Sequence, residues 1–227
     1  MSKIRKKENV MKYKIHGELA QVAELIFSKN ETCWGSRGSI MTMSSKIEWS
    51  LKVPGGVEGA IRRSLSGENI SLTFIEAKAD DQRIMLASNQ PGKLMGWDLS
   101  QGAIMTTRGS FVAAFGPQVN IDISIAKRAG AAIFGGAGLF LQKISGQGIA
   151  LIHGAGDFVD RQLENGDSIL VSTGNLAAFA DSVDYNIETV SGCRRIFFGG
   201  EGLFMTKLTG PGRVLLQTLK RVTSTTT

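Results

Sequence analysis

Hydrophobic and polar residues alternate with a period of two in several short runs along the chain. The alternation is regular at residues 47–51, 70–74 and 119–125. Because successive side chains of a β-strand point to opposite faces, this pattern predicts strands that bury one face. Residues 13–27 fit either strands or a short helix, and a helical period is almost absent elsewhere. Residues 83–87 and 110–115 are also predicted as strands. The pattern therefore predicts an all-β protein.

A second pattern is a glycine-rich phrase that recurs along the chain. It covers residues 134–148 and again residues 198–212, an offset of 64 residues, and a looser copy lies at residues 55–67. Residues 38–43 also match residues 109–114. Matches at such separations are difficult to obtain by chance, so they predict an internal repeat.

The spacing of the matches predicts three units, at about residues 13–80, 81–158 and 159–222. A period near 64 residues exceeds that of solenoid coils and propeller blades, which is roughly 20–50 residues. It suits a subdomain of several short strands. We therefore expect one all-β domain, residues 13–222, built of β-sandwich units with an internal pseudo-threefold repeat.

The net charge of the chain is concentrated at its N-terminus. Of the 26 basic and 20 acidic residues, six and one respectively lie in residues 1–14, which leaves 20 and 19 in the rest. We expect residues 1–12 to be a flexible basic tail, with a second, polar tail at residues 223–227. Such an arm can contact nucleic acid or an anionic membrane. A solvated terminus is the simpler interpretation.

The histidines limit the catalytic chemistry that the chain can perform. There are two, His16 and His153, in different predicted units. A metal-dependent jelly-roll enzyme needs a cluster of imidazoles beside a carboxylate, which these residues cannot supply. No Gly-x-Ser-x-Gly elbow accompanies His153, as it would in a serine hydrolase. We therefore expect a non-enzymatic protein with no catalytic residues, no metal ligands and no cofactor.

The glycine-rich phrase itself has two interpretations. A phosphate-binding loop needs Gly-x-Gly-x-x-Gly or Gly-Lys-Ser/Thr between a strand and a helix, and neither pattern is present. A repeated β-bulge or tight turn, where two backbones pass closely, fits better. The signature residues are then structural, and they are Gly55, Gly56, Gly59, Gly67, Glu68, Gly135, Gly136, Gly138, Gly146, Gly148, Gly199, Gly200, Gly202, Gly210 and Gly212.

Two pairs of adjacent arginines lie near the glycine-rich copies. Arg62-Arg63 and Arg194-Arg195 occupy corresponding places. They are interpreted either as anion contacts or as hydrogen-bond donors to carbonyls between units, and the structural use is favoured.

The cysteines and the hydropathy bear on location. Cys33 and Cys193 are the two cysteines, and neither a CxxC motif nor a secretory signal accompanies them. Reduced thiols in the cytoplasm are the expectation. No run of about 18 apolar residues is present, so no membrane-spanning helix is predicted.

Together, these motifs resemble the signature of a known family. They are Pro54-Gly55-Gly56 with residues 63–68, and the phrase in its two copies, residues 135–148 and 199–212. The combination is similar to the altered inheritance of mitochondria protein 24 family over nearly the whole chain. The resemblance implies the fold of the trp RNA-binding attenuation protein, a double-stranded β-helix-like sandwich, in repeated form. It carries over no enzymatic activity, and the mitochondrial members are linked to inner-membrane organisation.

The functional expectation is a non-enzymatic scaffold or binding module that forms a homo-oligomer, with a trimer as the expected size. The apolar stretch at residues 129–140 motivates the oligomer, since an exposed apolar patch usually marks an interface. The alternative is binding of RNA or of an anionic membrane surface, through the basic arm and a ring surface.

Overall fold

The structure, a computed structural model, describes residues 11–54, 71–125, 140–189 and 204–221, and its regular structure is almost entirely β-strand. The predicted all-β class is confirmed. Two short 3₁₀ turns, Leu99–Gln101 and Thr173–Asn175, are the helical elements among these residues, and none of the described helices is long and apolar enough to cross a membrane. The strands are β1 (Lys12–His16), β2 (Val22–Phe27), β3 (Thr32–Gly35), β4 (Ile40–Met43), β5 (Ile47–Lys52), β6 (Leu72–Ala77), β7 (Gln82–Ala87), β8 (Gly92–Asp98), β9 (Ile104–Thr107), β10 (Phe111–Ile125), β11 (Phe140–Ala155), β12 (Phe158–Leu163), β13 (Ser168–Ser172), β14 (Leu176–Ala180), β15 (Asp184–Thr189), β16 (Phe204–Thr209) and β17 (Gly212–Gln217).

The strands form three antiparallel sheets. One has the order β1-β2-β7-β4, and another the order β13-β16-β15. The largest runs β12-β17-β14-β9-β11-β10-β3-β6-β5, with β8 also paired to β11. Residues 13–27, which the sequence left open between strand and helix, form β1 and β2. In β2 the side chains alternate between half-buried and buried, which is the pattern of a strand packed on one face.

Three consecutive segments of the chain, residues 22–87, 92–155 and 158–217, contain the same set of strand pairings. In the first segment β2 and β4 flank β7, while β3 and β5 flank β6. In the second, β8 and the first half of β10 flank the second half of β11, while β9 and the second half of β10 flank its first half. In the third, β12 and β14 flank β17, while β13 and β15 flank β16.

The register of the pairings recurs as well. In each segment the third strand contains a β-bulge one residue after its start, between Ile40 and Thr42 in β4, Phe111 and Ala113 in β10, and Leu176 and Ala178 in β14. A bulge places two residues opposite one and bends the strand. The expected unit boundaries at residues 80 and 158 stay predictions; β7, which follows the first of them, pairs with β2 and β4.

Neighbouring segments are joined by strand pairing at two junctions. The first half of β10 pairs with β3, and β14 pairs with β9 in the same relative register. The cores follow this arrangement. Phe115 of β10 packs into the core of the first segment, and Phe179 of β14 packs with Met105 and Leu141 of the second. Each junction is therefore stabilised by burial of apolar side chains as well as by backbone hydrogen bonds.

The second segment shows how a strand is bent without being ended. Residues 110–115 and 119–125 were predicted as separate strands, but they form the single strand β10. Its pairing with β11 shifts register between Phe115 and Gln118, where Pro117 has no N–H to donate. On the opposite strand, Gly146 and Gly148 have φ angles of 112° and 145°. The two strands therefore bend together and continue past the bulge.

Candidate functional site

A cavity of about 320 Å³ lies where two turns of the sheet framework meet the end of the third segment. The turns are those between β3 and β4 and between β9 and β10. The lining includes three arginines, Arg37, Arg108 and Arg221, and the amide side chains of Asn89 and Gln142. None of the described residues that line it is Asp or Glu. The cavity is therefore a region of positive potential that presents several hydrogen-bond donors.

The two turns have nearly the same sequence and the same backbone. Residues 36–39 are Ser-Arg-Gly-Ser, and residues 107–110 are Thr-Arg-Gly-Ser. Gly38 and Gly109 both have a φ of 77°, a left-handed conformation that glycine adopts without strain. Each turn is closed by one backbone hydrogen bond, from Ser39 N to Ser36 O or from Ser110 N to Thr107 O. The shared geometry brings both arginines to the same cavity.

Arg221 is fixed from several sides by uncharged groups. Its Nε donates to Gln217 Oε1 at 3.0 Å, and its Nη1 donates to the carbonyl of Gly109. Its Nη2 donates to the carbonyl of His153 at 3.1 Å and to His153 Nδ1. Its backbone N–H donates to Gly174 O at 3.0 Å. The guanidinium therefore connects the third segment to the Arg-Gly-Ser turn of the second.

His153 is fully buried beside this guanidinium. Because an arginine can only donate, Nδ1 accepts and the imidazole proton resides on Nε2. Within the described part of the chain, Nε2 makes no hydrogen bond of ordinary geometry. Burial and the charge of Arg221 lower the pKa of His153 to about 4, although the backbone of Gln90 acts in the opposite direction. The ring is therefore neutral near pH 7 and does not compete with Arg221 as a cation.

The environment of Arg221 differs from that of two other arginines. Arg83 pairs with Glu24 at 2.9 Å, and Arg213 pairs with Asp160 at 2.6 Å. The hydrogen bonds that the structure gives Arg221 all go to neutral acceptors, and burial lowers its pKa to about 10. A half-buried cation without a carboxylate is costly to desolvate. An anion that entered the cavity would offset this cost through charge-assisted hydrogen bonds.

Two sheet edges form a second candidate site. The strands β4 and β13 each end a sheet, at positions that the other segments use for their junctions. Met43 of β4 is 45% exposed, whereas the residues at its place in β10 and β14, Ala114 and Phe179, are fully buried. A strand that is paired on one side only offers a row of backbone donors and acceptors to another strand.

The edge of β13 also exposes an apolar side chain at a position that is buried elsewhere, and β4 exposes a second one. Leu170 is 53% exposed, whereas Met105, at its place in β9, is buried. Met41 of β4 is 60% exposed, whereas Val112 and Ala177 at its place in the other two segments are buried. Apolar side chains thus occupy both open edges, at positions that lie in the core elsewhere in the same chain.

Most of the predicted signature residues lie outside the described residues. The signature residues outside them are Gly55, Gly56, Gly59, Gly67, Glu68, Gly135, Gly136, Gly138, Gly199, Gly200 and Gly202. The pairs Arg62-Arg63 and Arg194-Arg195 and nearly all of the apolar stretch at residues 129–140 also lie outside them. Three of the undescribed stretches join strands that pair with each other: β5 with β6, β10 with β11, and β15 with β16.

The four signature glycines within the described residues lie where strands bend or turn. Gly146 faces the carbonyl of Gln118, and Gly148 faces that of Phe115, so closely that a Cβ atom would collide with the backbone in both cases. Gly210 lies between β16 and β17, and Gly212 begins β17 with a φ of 150°. Gly146 and Gly148 therefore permit the close backbone approach at the bulge of β10 and β11.

Sequence reasoning did not single out Arg37, Arg108 or Arg221. Residues 38–43 match residues 109–114, and extending this match by one residue toward the N-terminus includes the first two arginines. Arg221 has no such signal, because its approach to Gly109 depends on how the third segment packs. His16 Nε2 lies at hydrogen-bond distance, 2.9 Å, from Glu24 Oε2. Among the residues that the structure describes, no three His, Cys, Asp or Glu side chains are grouped to hold a metal ion.

Known proteins resemble this chain in sequence and in fold. An uncharacterized protein of Streptococcus pyogenes serotype M6 is 29% identical over 183 residues, covering 79% of this chain and 71% of that protein. The X-ray crystal structure of another Streptococcus pyogenes protein superposes with a TM-score of 0.76, at 23% sequence identity, over 92% of this chain and 94% of that one. The second likeness shows the shared fold.

A family model covers most of the chain. The model described as mitochondrial biogenesis AIM24 matches residues 13–219, which include all three segments and, except for Arg221, both candidate sites. The resemblance drawn from the glycine-rich motifs is confirmed at the level of the family. The chain belongs to the mitochondrial biogenesis AIM24 family.

Proposed function

We propose that this protein is a non-enzymatic, cytoplasmic scaffold or binding module that assembles with copies of itself through the open edges of β4 and β13. The observation that carries the proposal is the missing third junction. Two of the three segments use their third strand to pair with the second strand of the preceding segment. Among the strands that the structure describes, neither the third strand of the first segment nor the second strand of the third segment has such a partner.

The internal junctions give the register of the proposed contact. At the first junction Ala114 lies opposite Trp34, and at the second Phe179 lies opposite Met105. The same positions in the open edges are Met43 and Leu170, which would lie opposite each other. Thr42 would then oppose Val171. The proposed pairing is antiparallel and repeats a contact that the chain makes twice within itself.

The side chains at the two open edges support a second copy of this chain as the partner. Met43 and Leu170 are apolar and about half exposed. Burial of apolar area contributes about 25 cal/mol per Å², and a paired edge also satisfies the backbone groups of both strands. Methionine in particular adapts its shape to a contacting surface. A second copy supplies both the complementary strand and the complementary side chain.

The contact joins different surfaces of the two copies, so it is head-to-tail. Such contacts produce a closed ring or an open fibre, depending on the rotation between copies. We propose a closed ring, with three copies as the expected size, in which the segments follow one another around an axis as pseudo-symmetric repeats. The ring of the trp RNA-binding attenuation protein is the arrangement that the sequence resemblance implies. Binding of RNA or of an anionic membrane stays a prediction that the basic arm motivates.

The proposal is tested by the mass of the protein in solution. Met43→Asp would place a carboxylate in the proposed interface, and we expect it to raise the dissociation constant of the assembly by about tenfold or more, equivalent to about 1.4 kcal/mol. Leu51→Asp is the matched control. Leu51 is exposed to a similar extent, 47%, on the edge strand β5, whose counterparts in the other segments also have one partner each among the described strands.

Sedimentation equilibrium of the wild type and the two variants distinguishes the outcomes. The proposal predicts an oligomer for the wild type and for Leu51→Asp, and a shift toward monomer for Met43→Asp. A wild type that sediments as a monomer at micromolar concentration would contradict it. Equal dissociation by both variants would also contradict it, because the effect would then be a general result of added charge.

A further inference from the structure

We propose that the arginine-lined cavity is a binding site for a phosphate group, carried either by a small soluble molecule or by a lipid headgroup. The proposal does not depend on self-assembly, since the cavity is lined within one chain. It rests on three arginines that converge from separate parts of the sequence, on the composition of the lining, and on the way in which Arg221 is held.

The first support is the convergence of the two Arg-Gly-Ser turns. Arg37 and Arg108 are far apart in sequence, but the pairing of β3 with β10 places their turns beside each other. Phosphate carries its charge on several oxygens and accepts hydrogen bonds from more than one guanidinium. Two arginines at equivalent positions of neighbouring turns are suited to hold such a group from two sides.

The second support is the lining between the arginines. Hydroxyl and amide groups, among them those of Ser71, Ser88 and Asn89, supply further donors. The side chain of Gln142 is buried to 6% exposure at the cavity. The described residues that line the cavity include no Asp or Glu, so the charged side chains among them are all arginines.

The third support is Arg221, which is pre-organised. Its hydrogen bonds to Gly109, Gln217 and His153 fix the plane of the guanidinium before any ligand arrives. Because less conformational freedom is then lost on binding, a fixed donor contributes more affinity than a mobile one. His153 accepts from this guanidinium as a neutral ring, which leaves the positive charge available to an anion.

The size of the cavity limits the ligand. A volume of about 320 Å³ lies at the small end of the range for ligand pockets, roughly 300–1,000 Å³. It accommodates a phosphate with a short attached group, and the apolar side chains of Leu72, Phe111 and Val112 in the lining suit such a group. A nucleic acid strand would require a longer groove with aromatic stacking surfaces.

The test uses the full chain and a double variant. Arg37→Gln with Arg108→Gln removes two charges from exposed turn positions and leaves the Arg221 network in place. Binding of inorganic phosphate is measured by isothermal titration calorimetry at constant ionic strength, with chloride as the competing anion. We expect saturable binding of one phosphate per chain, and a loss of affinity of about tenfold or more in the double variant.

Arg161→Gln is the control, since Arg161 is an exposed arginine on β12 outside the cavity lining. It should bind phosphate as the wild type does. Affinity that falls equally in the control and the double variant would show a general effect of net charge, and would overturn the site. Titrations that do not saturate for the wild type would overturn it as well.

A second arm distinguishes the source of the phosphate. Vesicles of phosphatidylcholine with and without phosphatidic acid are co-sedimented with each variant. Binding to phosphatidic acid that inorganic phosphate displaces, and that the double variant loses, would support the site and assign it to a lipid headgroup. Phosphate binding without vesicle binding would support a soluble ligand. If neither probe distinguishes the double variant from the wild type, the proposal is wrong.

Discussion

The two closed junctions and the open edges of β4 and β13 use the same backbone pattern with different outcomes. At β3–β10 and β9–β14 the strands pair, and the facing side chains lie in continuous cores. At β4 and β13 the bulge and the strand order recur, but the strands are edges. The side chains there are still apolar. The sequence of the open edges therefore resembles that of a covered surface more than that of a solvated one.

The largest expected effect is on the stability of a closed junction. Phe179→Ala removes a fully buried ring that packs against Tyr185 at a centroid distance of 5.4 Å. We expect the free energy of unfolding to fall by about 3–5 kcal/mol. Met43→Ala, at the corresponding position of the open edge, should cost about 1 kcal/mol or less, because its side chain is half exposed.

Chemical denaturation of both variants at concentrations below assembly measures this difference. Equal losses in the two variants would mean that the edge of β4 is already covered within the single chain, and the contrast between closed and open positions would be lost.

The next effect is a loss of stability at acid pH that depends on His153. His153 follows Ile152 of β11, which pairs with Phe111 at the start of β10, and its backbone N–H donates to Ser110 O. The pKa of its ring is lowered from 6.5 to about 4 in the folded chain. Below pH 6.5 the unfolded chain therefore binds a proton that the folded chain does not. The contribution of the neutral ring to the free energy of unfolding is fully present above pH 6.5. It is lost as the pH falls to about 4, and the loss is at most about 3 kcal/mol.

His153→Asn tests this dependence, because an asparagine side chain keeps an acceptor for Arg221 without titrating. The difference in unfolding free energy between pH 7.5 and pH 4.5 should be smaller in the variant than in the wild type. An unchanged difference would show that other groups, such as carboxylates, account for the acid sensitivity.

The sequence predicted strands well where one face is buried and the other is solvated. Residues 47–51 form β5 within one residue of the expectation, and residues 83–87 form most of β7. Residues 13–27 remained ambiguous, because isolated periodicity cannot distinguish a short strand from a short helix. β10 was divided in two at Gly116-Pro117, since its continuity depends on the matching bend of β11.

The candidate sites were less accessible to sequence reasoning. The repeated Arg-Gly-Ser turns are local, and their match could be found in the sequence. The approach of Arg221 to Gly109 and His153 depends on tertiary packing between segments and has no sequence period. The open edges are recognised by comparison with the closed junctions, because Met41, Met43 and Leu170 are as apolar as the buried residues at their places in the other segments.

Cross-linking of mixed cysteine variants tests whether β4 of one copy pairs with β13 of another. Met43→Cys and Leu170→Cys are placed in separate chains that also contain Cys193→Ser, and the two chains are co-expressed. The native Cys33 is buried, and burial raises the pKa of its thiol, so it does not react. Opposed residues of paired strands lie about 4.5–5.5 Å apart at Cβ, within reach of a short thiol cross-linker.

Pairing of β4 with β13 between copies predicts a covalent dimer from the mixture and none from either variant alone. A chain that contains both substitutions is the reference for closure within one molecule. If that chain forms an internal cross-link while the mixture yields no dimer, β4 and β13 pair with each other in the same chain, and the proposed assembly is contradicted.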